Sequence, residues 1–442
     1  MQRHRIGLSH PRIQYLLGAI PRGNLGIMSL AGSLGSLNGI ALTFLPIYFT
    51  SLGGSIPQYG IVTAMGLLVG TFFTIIGGAV VHRHRPTRIL AASSLAAPAA
   101  LVGYYFSRDW FVLAIIMVLA ATASISLPSG RQMVADSTTA KRRATQLSTY
   151  QLFGSLPSMF SPIIGGYLVS VFGTVPGFRI AAVIAAGLSF CVTFILFRFL
   201  REDKTLLHNA ENYPKPLVST DPAKPAASLV AVFRSVSRAP VAFLKNVASI
   251  PAVLVPIMSA FVLVTVANSI VGSYFIFYAT DIVKLSSLQW GIIVSAQVIL
   301  ANILRVPLGM LADRLDKRTV LVLSIAMTAP LPALFTLVHS FLGILAISLA
   351  MVATGIHYLS THEALQIDLT PRQKQPVVFS VYDSSGNLAK FVGVIAGGML
   401  FAANYALPFY AFTIIEGLAA AIVFSSLFLS KKWLSLFAPA KN

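Results

Sequence analysis

Charge is scarce in this sequence. Lys, Arg, Asp and Glu make up 10% of its 442 residues, against about 25% in an ordinary soluble domain. That deficit excludes a soluble enzyme, a disordered chain and a coiled coil. Acidic residues are fewest, 13 against 32 basic ones. Cysteine occurs once, as Cys191 inside an apolar run. Neither an intrachain disulfide nor a cysteine metal site can form. No G-x-x-x-x-G-K-[ST] stretch exists, so nothing suggests nucleotide hydrolysis. His362-Glu363-Ala-Leu-Gln366 comes near the H-E-x-x-H zinc motif, but Gln366 replaces the second ligand. A metalloprotease is rejected, and no cofactor or metal is implied.

What fills the space is apolar: 56% of the residues are hydrophobic types. A bilayer-crossing helix needs roughly 20 mostly apolar residues. No Lys, Arg, Asp or Glu occurs from Gly23 to His82, room for two helices with a turn at Gly53 to Pro57. The basic start (Arg3, Arg5, Arg12) imitates a signal peptide. The apolar run after it is too long for one and is read as a retained span.

Charge breaks and Gly/Pro punctuation predict twelve spans: 25–50, 58–81, 88–107, 110–135, 145–172, 177–200, 250–278, 288–312, 318–338, 341–366, 376–402 and 406–429. The fold class expected is an all-α membrane protein. Its parts are an N-terminal arm (1–24), a six-helix bundle (25–200), a linker (201–249), a second six-helix bundle (250–430) and a tail (431–442). The linker is Pro-rich and charged at first, then amphipathic from Ser228 to Lys245. It reads as a flexible tether followed by a helix on the inner membrane surface.

Basic residues set the orientation. With the N-terminus inside, the outer loops hold only Arg108, Arg179 and Lys284, and the spans hold Arg131, Arg305 and Lys390. The other 26 of the 32 face the cytoplasm. A multi-pass protein of the cell membrane with both termini cytoplasmic is expected. This bias accounts for the net charge of +19 without a nucleic-acid partner. Anionic membrane lipid would attract the arm and linker.

The halves repeat at an offset near 231. Asn38 meets Asn268 and Tyr48 meets Tyr278; Gly60 meets Gly291 and Gly78 meets Gly309; Asp136 meets Asp368. In spans five and eleven, Tyr150, Gly154, Gly165 and Gly166 meet Tyr382, Gly386, Gly397 and Gly398. Parallel repeats of this kind imply alternating access, with a site at the repeat interface near the midplane. Each chain carries both halves, so a monomer is expected.

Gly309-Met-Leu-Ala-Asp313-Arg314-Leu-Asp316-Lys317-Arg318 resembles the G-x-L-A-D-R-x-G-R-[RK] signature of the major facilitator superfamily. Gly309 and Asp313 are one helical turn apart and share a face. The resemblance implies a cytoplasmic latch: Asp313 faces the start of span five, while Arg314 and Arg318 reach Asp368. The first-half copy departs from the pattern, with His82 in place of Asp after Gly78. Arg83 or Arg85 can still pair with Asp136. A weaker, pH-sensitive latch is expected there. Ser161-Pro162-Ile-Ile-Gly165-Gly166 resembles the G-P-x-x-G-G element of proton-coupled antiporters, with Ser161 for the usual Gly; Pro157 departs from the Gly expected further upstream. Physically, these residues make a kink that packs closely.

Charges inside spans usually face a cavity or a partner. Arg131 and Glu363 are symmetry mates. Asp383 and Lys390, seven residues apart, share a face of span eleven, and Arg305 is placed to pair with Asp383. His357, His362 and Glu363 group on span ten as candidates for a proton relay, with packing histidines as the alternative. Asn38 and Asn268 are candidate substrate contacts, with interhelical hydrogen bonding as the alternative. Glu416, mid-span in span twelve, receives no role. Together these residues predict a secondary transporter for a small organic substrate, coupled to protons and more of an exporter. The alternative is organic-anion uptake or exchange selected by Arg131, Arg305 and Lys390; an integral-membrane enzyme is remote.

Overall fold

The computed structural model describes residues 23–81, 85–138, 143–201, 250–251, 254–371 and 374–426. The N-terminal arm, the amphipathic stretch of the linker and the tail lie outside the described residues. Among the described residues, twelve helices are long and apolar enough to cross a membrane. They are α1 Gly23–Ser51, α2 Ile56–Gly78, α3 Pro86–Phe106, α4 Trp110–Val134, α5 Thr149–Phe172 and α6 Thr174–Phe199. The second half holds α7 Val255–Ile282, α8 Ser287–Leu304, α9 Lys317–Phe335, α10 Phe341–Leu369, α11 Val377–Ala403 and α12 Leu407–Phe424. Each overlaps its predicted span.

Four helix starts at one end are capped by side chains. The Ser55 N–H donates to Gln58 Oε1 (2.7 Å), and the Gln58 N–H donates back to Ser55 Oγ (3.4 Å). Ser286 and Gln289 repeat this capping box at 2.9 and 3.2 Å. Asp109 Oδ1 accepts from the Phe111 and Val112 N–H groups, and Ser340 Oγ accepts from that of Gly343. These are the starts of α2, α8, α4 and α10. That side is here called the capped end.

Two tyrosines pin equivalent helices together nearby. The Tyr48 hydroxyl sits 2.9 Å from the Tyr104 carbonyl and 3.2 Å from that of Ser107, tying α1 to α3. Tyr278 donates to the Thr336 carbonyl at 2.8 Å, tying α7 to α9. The Arg179 guanidinium also donates to the Ser107 carbonyl.

A small irregularity accounts for the drift in the repeat. Tyr48 and Tyr278 are 230 apart, yet the capping boxes are 231 apart. Between them, Tyr278–Ile282 forms a π turn, which holds one more residue than an α turn. Beyond it the halves coincide again, with positive φ at Gly53 (92°) and at its mate Lys284 (63°).

The halves meet at the capped end and separate at the other. One apolar core spans both halves there, joining Phe49 and Tyr59 to Phe277, Trp290 and Phe401. The Tyr59 and Phe277 rings meet edge to face across the join. Toward the opposite end the cores are separate: Ala31, Ala91 and Leu196 in the first half, Ile257, Leu321 and Val423 in the second. Lipid tails are as apolar as these side chains, so close packing rather than water exclusion holds such contacts. Small residues permit it. A Cβ on Gly60 would lie 2.5 Å from the Tyr274 hydroxyl and 3.0 Å from the Val394 carbonyl oxygen. One on Gly291 would strike the Pro162 carbonyl oxygen.

Candidate functional site

A cavity of ≈ 880 Å³ lies in the second half, lined from α7 to α12. Five of the predicted pathway residues line it: Asn268, His362, Glu363, Asp383 and Lys390. Glu416, to which sequence reasoning assigns no role, lines it too. Glu363, Asp383 and Lys390 are exposed, whereas His362 and Glu416 keep only 2% and 3% of their surface.

The lining follows from helix geometry. Tyr358 and His362 are four residues apart on α10 and share a face. The His362 ring stacks on Phe261 of α7 (4.9 Å, 17°) and on Tyr358 (5.8 Å, 25°), and it tilts against Tyr382 of α11 at 5.3 Å. The polar heads of this cluster have no hydrogen-bond partner among the described residues: Tyr358 Oη, both His362 ring nitrogens, Tyr382 Oη and Glu416 Oε2. Buried polar groups in folded proteins are as a rule satisfied. So dense a set marks a place that receives polar matter.

Two other predicted pathway residues, Asn38 and Arg131, lie elsewhere. Asn38 does not line this cavity; its Oδ1 accepts from Ser189 Oγ at 2.8 Å, tying α1 to α6. Arg131 is exposed on the first half and is not part of the lining. The side chains of Arg305 and His357 lie outside the described residues. The repeat argument expects a site between the halves, but this lining belongs to the second half alone. The equivalent positions of the first half carry other residues. At the offset of 232, Ser126 replaces Tyr358, Gly130 replaces His362, Gln151 replaces Asp383 and Ser158 replaces Lys390.

At the end away from the caps, Asp368 receives Lys317 Nζ at 2.7 Å, a partner the motif reading did not assign. Arg318 Nε instead lies 3.1 Å from both carboxylate oxygens of Asp316. Asp316 is the N-cap of α9 and also accepts from the Arg318 N–H. Lying beside the cap, Arg318 meets Asp316 before it can span to α10. Lys317 and Asp368 are 38% and 53% exposed, so water screens the pair to about 0–1 kcal/mol. The side chains of Gly309, Asp313 and Arg314 lie outside the described residues, as do His82 and Arg83. Asp136, at the end of α4's helix, is partly buried and engaged in an interaction. The space beside Gly78 is open, and a Cβ there would meet nothing within 4 Å.

The kink in α5 is a short 3-10 turn over Leu156–Met159, with Pro157 in its first turn. Pro162 then opens the next helical segment near its start. Gly165 and Gly166 serve different neighbours. A Cβ on Gly165 would strike Ile40 of α1, and one on Gly166 would strike Ser287 at the start of α8.

Sequence reasoning missed Tyr358, Tyr382, Gln297 and Glu416 as lining residues. A lone acid in mid-span was the one signal for Glu416; the others look like ordinary span residues.

A family model described as Major Facilitator Superfamily matches residues 27–289 and 257–442. Multidrug resistance protein MdtG of Proteus mirabilis (strain HI4320) is 24% identical over 412 residues, covering 91% of this chain and 93% of that protein. Among solved structures, a peptide transporter POT in complex with sulfate superposes with a TM-score of 0.68 at 16% identity, over 96% of this chain and 99% of its own. A bacterial homologue of the human lysosomal transporter Spinster, in an inward-facing and occupied conformation, gives 0.66 at 15%, over 96% and 98%. A mutant of the nucleoside transporter NupG gives 0.60 at 14%, over 92% and 99%.

Proposed function

The chain belongs to the Major Facilitator Superfamily, and from that premise we propose that it exports a small organic solute in exchange for protons. It is a multi-pass membrane transporter. The observation that carries the finer reading is the grouping of Glu363, Asp383 and His362 around one cavity. Carboxyl and imidazole groups are the side chains that take up and release protons within membrane spans. The relative MdtG, named for multidrug resistance, and the Ser161–Gly166 element both favour export over uptake.

On this reading the protein lies in the cell membrane as a monomer with both termini cytoplasmic. The capped end then faces outward. The joined core at that end and the divided cores at the other correspond to an inward-facing state. The cycle alternates this state with one in which the halves rock the other way. The solute keeps its bonds throughout, and no nucleotide is consumed.

A second reading has one observation in its favour. Lys390 lines the cavity and is exposed within it, which suits an anionic solute moved by uptake or exchange. The test uses purified protein in liposomes with a pH-sensitive dye inside. A panel of organic cations, sugars and organic acids is added in turn under an imposed proton gradient. The expected result is a solute-evoked proton flux that Glu363→Gln abolishes. Counterflow of labelled anions without proton flux, lost in Lys390→Ala, overturns proton coupling in favour of the anion exchanger.

A further inference from the structure

We propose that the deep end of the cavity, around Glu416, binds the ammonium group of an organic amine. The inference rests on the reading of this cavity as the solute site and names the solute's class.

Charge comes first. Among the described residues the lining holds three acidic side chains, Glu363, Asp383 and Glu416, against one lysine, Lys390. Glu363, Asp383 and Lys390 are exposed, so water can solvate them. Glu416 is 3% exposed, has no ion pair among the described residues, and leaves Oε2 without a hydrogen bond. A carboxylate so placed is stabilised by a cation with matching donors. An anionic solute would offer this group no such partner.

Hydrogen-bond chemistry narrows the cation. An ammonium carries three donors and no acceptor. Tyr358 lies close enough to Glu416 to interact with it electrostatically, and Tyr382 and His362 share the same ring cluster. The unpartnered oxygens of both tyrosines can accept, and so can one nitrogen of a neutral His362. Carboxylate, phenol oxygens and imidazole thus offer acceptors enough for three N–H groups. A quaternary cation would leave all of them unused.

The walls select the rest of the molecule. Phe261, His362 and Tyr358 form a column of stacked rings. Val264, Ile325 and Met351 line the cavity beside them. Aromatic faces attract a cation within about 6 Å, and the aliphatic groups suit an apolar body. Glu416 is a binding residue in this scheme, and Tyr358 positions the ammonium against it.

The test measures binding of 2-phenylethylammonium to the full-length protein in lipid nanodiscs by titration calorimetry. Its neutral isostere 2-phenylethanol is the comparison. The amine is expected to bind at least tenfold more tightly than the alcohol. Glu416→Gln is expected to lower amine affinity at least tenfold with an unchanged elution profile and melting temperature. Glu416→Asp should restore part of the loss, and Tyr358→Phe should weaken the amine severalfold and the alcohol little. Equal affinity for amine and alcohol, no amine binding, or full amine binding by Glu416→Gln each overturns the proposal. If Glu416→Gln does not fold, unchanged amine affinity in both Glu416→Asp and Tyr358→Phe overturns it, and loss in either sustains it. Amine binding without amine-evoked proton flux would sink the antiport reading and leave this site standing.

Discussion

Gly60 and Gly291 occupy the same place in the two halves, and each abuts a backbone carbonyl of the opposite half. Their partners, Val394 and Pro162, are themselves 232 residues apart and equivalent. Gly398 and Gly166 complete the contact from the other side, against Ile56 and Pro57 and against Ser287 and Leu288. The clasp at the capped end is therefore one contact made twice. At Gly291 and Gly166 the nearest atoms are all backbone, which cannot swing aside as a flexible side chain can; Gly60 and Gly398 also meet the Tyr274 hydroxyl.

Gly291→Ala should open this clasp. Overpacking costs about 1–3 kcal/mol, which corresponds to a roughly 5–150-fold shift in population. Spin labels at the exposed mates Arg108 and His339, in a Cys191→Ser background, should report a longer distance. Gly187→Ala is the control, because nothing lies within 4 Å of a Cβ there. An unchanged distance in Gly291→Ala would show that the clasp does not hold the halves.

Asn38 and Asn268 should part company. Asn38 holds Ser189, so Asn38→Ala should lower thermal stability by about 1–2 kcal/mol. Asn268 bonds only its own helix, at the Val264 carbonyl, and lines the cavity. Asn268→Ala should leave the unfolding midpoint nearly unchanged and weaken solute binding. The reverse pattern would place the solute in the first half.

Tyr48→Phe and Tyr278→Phe should each cost about 1 kcal/mol, the net worth of one hydrogen bond. Thermal unfolding in detergent measures it. Both rings keep their aromatic contacts, Tyr48 stacked on Phe178 and Tyr278 edge to face with Phe409. A loss several times larger would mean that the hydroxyls organise more than their own helix pair.

Lys284 sits at φ 63° where its mate is Gly53. The left-handed region costs a residue with a side chain on the order of 1 kcal/mol. Lys284→Gly should therefore raise the unfolding midpoint slightly, and Gly53→Ala should lower it. A destabilised Lys284→Gly would reveal a contact of the lysine side chain that outweighs the strain.

The twelve helices were legible because lipid demands long apolar runs, and their approximate ends because charge and Gly/Pro interrupt those runs; the Ser, Asp and Gln caps emerged only in the structure. The repeat was legible in Asn, Tyr, Asp and paired Gly. The cavity's lining was legible only as far as polarity marks it: Glu363, Asp383, Lys390, His362 and Asn268 stand out in apolar spans. Helix rotation decides which polar residues face one another, and hydropathy does not report it. Hence Asn38 looked like Asn268 but turns to Ser189. Tyr358 and Tyr382 read as span residues, although both line the cavity. The pairing of Lys317 rather than Arg318 with Asp368 depends on the cap at Asp316, a matter of side-chain reach that spacing alone leaves open.

The π turn at Tyr278–Ile282 bears on what changes of length this protein tolerates. One residue added to an α-helix rotates all that follows by about 100°. Here the turn absorbs the addition, and Ser286, Gln289 and Gly291 keep the places of Ser55, Gln58 and Gly60. Removing one residue within 278–282 should therefore be accommodated as a plain α turn. The same deletion between Gln289 and Gly291 would swing the glycine away from Pro162 and present a side chain to it. The two halves are interchangeable in length at this turn and nowhere along the clasp that follows.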